Sequence, residues 1–232
     1  MISNKKKLVV LTGAGVSAES GLKTFRDNDG LWENHRVEDV ATPEAFAKNP
    51  SLVLRFYNER RAAAALAKPN RAHLLLAELE EEYDVTIITQ NVDNLHEKAG
   101  SSKVLHLHGE LSKVRSVKNE YLISDIGDKA ISLGDLASDG QQLRPHIVWF
   151  GEPVPAIVEA AEICATAAIF LIIGTSLQVY PAAGLINYVP ADSKIFLIDK
   201  NPPQTGHLPF NVQVIRDSAS SGMQTVKELL TA

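Results

Sequence analysis

Several short apolar runs in this chain end in residues that do chemistry. Val85 to Thr89 leads into Gln90-Asn91-Val92-Asp93-Asn94-Leu95-His96, which puts amides, a carboxylate and an imidazole in one turn. Such a cluster can bind a ribose and a carboxamide together, or it can simply cap the helix that follows, since Asn and Asp satisfy helix N-termini routinely. His96 is expected to serve the fold. Val104 to Leu107 leads into His108-Gly109-Glu110, and a histidine at a strand end suits general-base work on a hydroxyl. His106 and His108 are expected on one strand face, but no third ligand stands at clear metal spacing, so no metal site is expected. His73, beside Leu74 and Leu75 in the helical stretch Arg71 to Glu82, reads as a satisfied core histidine.

Leu8 to Leu11 runs into Thr12-Gly13-Ala14-Gly15-Val16-Ser17-Ala18, a strand feeding a glycine-rich turn and a helix start. That arrangement presents backbone N–H groups to a diphosphate. Gly13 and Gly15 can take positive φ and admit close approach, and Ala18 completes G-x-G-x-x-A by allowing tight helix-strand packing. The pattern also occurs as a structural corner. Later, Ile173-Gly174-Thr175-Ser176 and Ile198-Asp199-Lys200-Asn201 close two more strands with groups suited to phosphate and ribose hydroxyls. Arg144 to Glu152 is an extended apolar segment ending at Gly151, either a buried strand or an edge open to strand addition by a peptide.

The elements that position these groups are short parallel strands, Leu8 to Leu11, Val85 to Thr89, Val104 to Leu107, Ile169 to Ile173 and Ile195 to Ile198, with helical segments between most of them. The fold class is therefore α/β, a Rossmann-like doubly wound parallel sheet whose ligands bind beyond the carboxyl ends of its strands. Residues 1–35, 70–111 and 143–232 are assigned to it. Two insertions, 36–69 and 112–142, are expected to form a small module beside the sheet. The first holds a helix starting at Asn49-Pro50 with Leu52, Val53, Phe56 and Ala63 on one face. The second is polar, contains three glycines and has a strand-like Lys113 to Tyr121.

Composition narrows the function classes. A net charge of −5 over 232 residues supplies no basic stripe, so no direct nucleic-acid partner is expected. The apolar run after the opening lysines is too short for an export signal, and the stretch 167–173 is too short for a membrane span, so a cytoplasmic protein is expected. Nothing in the length requires oligomerisation, and a monomer fits. Cys164 is the only cysteine, which excludes an internal disulfide, and it lies in an apolar run where a buried thiol is expected.

Five stretches in order, GAGVSAESGLKTFR, TQNVDNLHEKAG, LHLHGEL, RPHIVWFGE and IGTSLQVYPAAGL, resemble the sirtuins, NAD-dependent protein-lysine deacylases. The resemblance implies that NAD is consumed as co-substrate and that acyl-lysine proteins or peptides are the partners. It implies that Ala14, Phe25 and Arg26 line the cofactor loop, that Gly13, Gly15, Gly174, Thr175 and Ser176 lie near the phosphates, and that Asp199, Asn201 and Ala219 complete the cofactor set. Gln90, Asn91 and Asp93 would address the nicotinamide-side ribose and carboxamide, with Asn91 and His108 catalytic. Val148, Trp149, Phe150 and Gly151 would pair with the substrate. In the family the acyl oxygen attacks the anomeric carbon, nicotinamide leaves, and the histidine activates a ribose hydroxyl that captures the acyl group.

Two departures stand out. The four zinc-binding cysteines of many sirtuins are absent from the interval between His108 and Arg144, so no zinc is expected, and Leu122, Ile123, Ile126, Ile131, Leu133 and Leu136 are candidates to hold the second insertion by packing. Asp199 stands where the family often has asparagine. Tyr57 and Arg60, three apart on the first insertion's helix, share a face and can grip a carboxylate together, although a surface arginine beside a core tyrosine has the same spacing. They resemble the sirtuin subgroup that removes succinyl and malonyl groups, with Ala41 leaving room for the longer chain. An ADP-ribosyltransferase or NAD hydrolase on the same scaffold, and a non-catalytic NAD or acyl-lysine sensor, remain open alternatives. The polar strand ends suit glycosidic cleavage better than hydride transfer.

Overall fold

A computed structural model describes residues 5–23, 31–32, 35–203 and 211–231. In chain order the elements are β1 (Lys7–Thr12), α1 (Ala14–Ala18), β2 (Leu31–Trp32), β3 (His35–Arg36), α2 (Val37–Val40), α3 (Pro43–Lys48), α4 (Pro50–Leu66) and α5 (Arg71–Glu78). There follow β4 (Asp84–Thr89), α6 (Leu95–Lys98), β5 (Val104–His106), β6 (Gly109–Ser116), β7 (Ile123–Asp125) and β8 (Leu143–Ile147). The chain continues with α7 (Ile157–Cys164), β9 (Ile169–Ile173), β10 (Lys194–Ile198), β11 (Val212–Ile215) and α8 (Ala219–Thr231). Among the described residues no helix is long and apolar enough to cross a membrane.

Six parallel strands form one sheet in the order β11-β10-β9-β1-β4-β5. The five strands expected from apolar runs are all in it. β11 is an addition, a short edge strand whose central Gln213 hides it from a search for apolar runs. Both faces of the sheet are covered, which is why its strands read as continuous apolar runs. Leu8 and Val10 join one buried layer with Leu75, Leu76 and Met223, while Val9 and Leu11 join the opposite layer with Ala160, Cys164 and Leu185. Burial also pushes the Cys164 thiol up to about 12, so it is an inert core residue.

A second sheet, β7-β6-β8, is antiparallel. It takes in 109–116 and 143–147, so its edges lie outside the 112–142 expected for the second insertion. The strand expected over Lys113 to Tyr121 instead ends at Ser116, whose hydroxyl accepts from the Lys118 and Asn119 N–H groups and turns the chain. α4 begins as its sequence predicts, with the Asn49 side chain accepting from Leu52 N behind Pro50. Val53 and Phe56 are buried and Leu52 packs against them, whereas Ala63, expected on that face, is exposed at the edge of a cavity.

The second insertion packs less than its sequence suggested. Ile131 is buried and Ile126 packs beside it, but Ile123, Leu133 and Leu136 are exposed and Leu122 is half-buried. Polar anchors on α4 hold it instead. Asn58 donates to Ile131 O at 2.8 Å and accepts from Ile131 N at 3.0 Å, while buried Arg61 donates to Leu111 O and to Asn58 Oδ1.

His73 and His96 are buried, with ring centroids 4.8 Å apart. His73 Nδ1 accepts from Asn70 N and so helps cap α5, but its Nε2 has no hydrogen-bond partner among the described residues, so it is only half satisfied. Burial lowers the His73 pKa to about 4 and lowers that of His96 well below the ordinary value. Since unfolded histidine titrates near 6.5, the stabilisation from keeping His73 neutral is complete above that pH and drains away as pH falls toward 4. We expect urea unfolding to report about 2 kcal/mol lost from this group between pH 7.5 and 5, with His96 adding in the same direction. His73→Gln, which cannot protonate, should flatten that slope; an unchanged slope would contradict the assignment.

Candidate active site

β1 and β9 are neighbours from opposite halves of the large sheet, and the crevice where the strand order reverses is where such sheets bind ligands. The turns after these strands lock together there. Gly13 N donates to Ile173 O at 3.0 Å, Gly15 N to Gly174 O at 2.9 Å, and Gly174 N to Ile198 O at 2.9 Å. A Cβ on Gly15 would stand 2.6 Å from Gly174 Cα, and one on Gly13 would stand 2.7 Å from Thr175 Cβ. The glycines are thus required by close approach. Positive φ, expected at Gly13 and Gly15, is found at Gly174 instead (φ +62°), while Gly13 is extended at φ −126°. Ala18 also differs from expectation: α1 ends there, and the side chain is exposed at the crevice instead of packing against a strand.

A cavity of about 730 Å³ opens over this crevice and runs between the large sheet and α4. That volume suits a dinucleotide-sized ligand. Gly13, Ala14, Gly15, Gln90, Asn91, Asp93, His108, Gly174, Thr175, Ser176, Asp199, Asn201 and Ala219 all line it, as do Ala41, Tyr57, Arg60, Val148, Trp149, Phe150 and Gly151. Phe25 and Arg26 lie outside the described residues. The sequence reading missed Ser17 and Trp32, which also face the cavity. Ser17 sits inside the glycine-rich motif itself, and that position was its available signal.

Ser17 connects the β1 turn to the β4 turn. Its hydroxyl donates to Asp93 Oδ2 at 3.0 Å and accepts from Asn91 Nδ2 at 3.1 Å, and Asn91 Nδ2 also reaches Gly13 O at 3.1 Å. Asp93 additionally accepts from Leu95 N at the start of α6, so its carboxylate also serves the local fold of this turn. Burial raises the Asp93 pKa, and the Leu95 N–H, the Ser17 hydroxyl and the His106 charge oppose that rise. Gln90 Nε2 donates to Thr175 Oγ1 at 3.1 Å, tying the same turn to the one after β9. Asp199 Oδ1 accepts from Asn201 N at 2.7 Å, so this carboxylate closes its own turn at the cavity wall.

His108 stands at the cavity wall beside the β4 turn. Its Nδ1 lies 3.0 Å from Gln90 O, a carbonyl that only accepts, so the proton is on Nδ1 and Nε2 keeps its lone pair. Burial lowers its pKa, only partly offset by that hydrogen bond, so the ring is neutral at pH 7. His106 and His108 do not form a metal pair: His106 Nε2 meets Glu97 Oε1 at 2.7 Å and its Nδ1 meets Asn91 O at 3.0 Å.

On the far side, the segment Val148 to Gly151 is a turn and not a continuation of β8, which stops at Ile147. Its N–H groups are used inside the fold: Val148 N donates to His108 O, Phe150 N to Ala41 O and Trp149 N to Glu152 Oε2. A peptide added here would have to pair mainly with carbonyl oxygens. Arg144 makes a bidentate pair with Glu152 and lies 3.3 Å over the Trp149 ring, and the indole N–H donates to Tyr57 OH at 3.0 Å. Tyr57 is wholly buried and, accepting the indole proton, keeps its own proton available to an acceptor; burial, against the nearby Arg60 charge, raises its pKa. Arg60 stacks 4.2 Å over Trp32 at the cavity wall.

These features define an enzyme-like nucleotide cleft on a Rossmann-like α/β fold. Residues 13–181 match the Sir2 family. A protein of Bacteroides thetaiotaomicron named NAD-dependent protein deacylase is 55% identical over 97% of this chain and 98% of its own length. A Helicobacter pylori protein of the same name is 56% identical over 94% of this chain and 95% of its own. A solved complex of a mutant Sir2 homologue with ADP ribose aligns with a TM-score of 0.86 at 37% identity, covering 99% of this chain and 95% of that one. A Sir2 homologue–NAD complex aligns with a TM-score of 0.83 at 38% identity, covering 98% and 91%. The chain belongs to the Sir2 family.

The close approach of the two turns yields a direct expectation. Gly15→Ala should lower the melting temperature of the ligand-free protein by roughly 2–10 °C, equivalent to about 1–3 kcal/mol of overpacking. Unchanged melting would show that the contact at Gly174 is not tight.

Proposed function

We propose that the chain is an NAD-dependent protein-lysine deacylase in which the cavity holds NAD and an acyl-lysine peptide together. The observation that carries this reading is the meeting of a neutral, half-buried histidine with the Asn91–Ser17–Asp93 network in one cavity, in a chain of the Sir2 family. The residues fit such a ligand: the backbone of Gly13 and Gly15, packed against Gly174 and Thr175, lines the crevice, and hydroxyl and amide groups of Thr175, Ser176, Asn91 and Gln90 surround it. When bound, NAD would supply an anomeric carbon whose bond to nicotinamide breaks as the acyl oxygen bonds to it, with nicotinamide as the leaving group.

In this reading Gly13, Ala14, Gly15, Gly174, Thr175 and Ser176 receive the phosphates, and Asp199, Asn201 and Ala219 line the adenosine side. Gln90, Asn91 and Asp93 orient the nicotinamide-side ribose and carboxamide, with Phe25 and Arg26 completing the loop. His108 Nε2 takes the proton of a ribose hydroxyl, which then captures the acyl carbon, and water completes the release of free lysine and O-acyl-ADP-ribose. Val148 to Gly151 positions the acyl-lysine. Residues 1–35, 70–111 and 143–232 act as the NAD-binding domain and the two insertions as its small module. Acylated proteins are the partners, and the chain works as a cytoplasmic monomer without a nucleic-acid partner.

The acyl preference is succinyl or malonyl alongside acetyl. Tyr57 and Arg60 support it, a phenol proton and a guanidinium at the wall of one cavity, with small Ala41 beside them.

Mass spectrometry of acyl-peptides incubated with NAD should detect O-acyl-ADP-ribose, and His108→Ala should slow its formation by about 10²- to 10⁴-fold. Free ADP-ribose or ADP-ribosylated protein as the main product would overturn the deacylase reading. Because burial lowers the His108 pKa, the acid limb of kcat/KM should fall below the ordinary histidine range near 6.5. Arg60→Met should cut kcat/KM for succinyl-peptide by roughly 10-fold or more, the worth of a charged hydrogen bond, and leave acetyl-peptide within about threefold. Equal effects on both substrates would remove the carboxylate grip.

A further inference from the structure

His106 and His108 stand two residues apart and make the same contact with successive carbonyls, His108 Nδ1 to Gln90 O and His106 Nδ1 to Asn91 O, each at 3.0 Å. The next carbonyl in the turn, Val92 O, accepts from Leu111 N at 2.8 Å. Three consecutive carbonyls of the turn are therefore pinned from the segment 106–111. The two rings differ at their other nitrogen. His108 Nε2 is the free base of the site, whereas His106 Nε2 lies 2.7 Å from Glu97 Oε1. Carbonyl and carboxylate oxygens only accept, so both His106 nitrogens must carry protons for both contacts to form.

We propose that Glu97 holds His106 as an imidazolium, and that this half-buried pair is a positioning device which fixes the Asn91–Asp93 turn for NAD while His108 stays neutral. The inference rests on the assignment of Asn91 and Asp93 to NAD given above. The surroundings favour the charge. Glu97 and neutral His96 face the ring from α6, Asp93 from the turn, and Glu110, paired with Lys113 at 2.6 Å, from β6. Burial opposes ionisation of His106, but the Glu97 contact outweighs it and raises the pKa. The cation in turn helps keep the buried Asp93 carboxylate ionised. Environments that push two neighbouring titrating groups apart assign them different work.

The test is made on the full chain with isotope-labelled histidine. Among the imidazole signals, one absent from His106→Gln should titrate above the ordinary histidine value, and Glu97→Gln should shift its midpoint to lower pH. In kinetics, His106→Leu should lower kcat/KM for NAD by roughly 10-fold or more while KM for the acyl-peptide stays within about twofold, and His106→Gln, which keeps a donor toward Asn91 O, should recover part of the loss. Glu97 is partly exposed, so Glu97→Gln serves if His106→Leu does not fold. A His106 ring that is neutral at pH 7 in an active enzyme overturns the pair alone. So does an NAD kcat/KM within twofold of wild type in His106→Leu, or in Glu97→Gln above the lowered His106 midpoint, or an equal loss in the NAD and peptide parameters. A wild-type chain without NAD-dependent turnover overturns the functional reading instead, because the imidazole signals are read without turnover.

Discussion

The backbone of Gly15 against the backbone of Gly174 is the contact on which the site depends. It joins the turns after β1 and β9 at the point where the sheet changes direction, and it leaves no space for a Cβ on either side. Backbone surface, with its N–H and C=O groups, therefore forms the floor of the cavity. Because β1 and β9 are central and buried on both faces, that floor inherits the rigidity of the core. Pre-organisation of this kind lowers the ordering cost of binding a flexible dinucleotide.

From that floor a polar network spreads without interruption. Ser17 links the first turn to Asn91 and Asp93, and Gln90 links the β4 turn to Thr175. His106 and His108 hold the same turn from behind through two carbonyls. Buried polar groups are costly when unpaired, so a network this complete narrows the turn to one conformation. The difference between the two histidines arises from a single partner, Glu97, which faces one ring and not the other.

The small module reaches the same cavity by other means. Asn58 and Arg61 on α4 anchor the second insertion through backbone groups, and Arg144 with Glu152 fixes the turn that carries Trp149. Removing one member of a buried ion pair costs far more than the pair contributes, so Arg144 and Glu152 are linked in what they tolerate. The indole then passes that order on to Tyr57, whose hydroxyl it satisfies from one side.

Local chemistry determined a great deal here. Apolar runs marked five of the six strands because a sheet covered on both faces demands them, and the polar strand ends marked the cavity because parallel strands deliver their carboxyl ends to one side. Asn49-Pro50 marked the start of α4 through its own side chain and the fixed φ of proline. What depends on pairing across long sequence distances was not legible. β11 exists because β10 offers it an edge; β6 starts at Gly109 and stops at Ser116 because β8 and a serine hydroxyl set its ends; Val148 leaves the strand because Trp149 N is claimed by Glu152. The reason for the glycines also lay outside the motif, since Gly13 and Gly15 are small on account of Gly174 and Thr175, about 160 residues away. The sequence by itself marked most of the residues that meet in the cavity, through motif and strand order. Tertiary structure alone decided their hydrogen-bond partners, because the oxygens that face the ring nitrogens of His106 and His108 come from other segments of the chain.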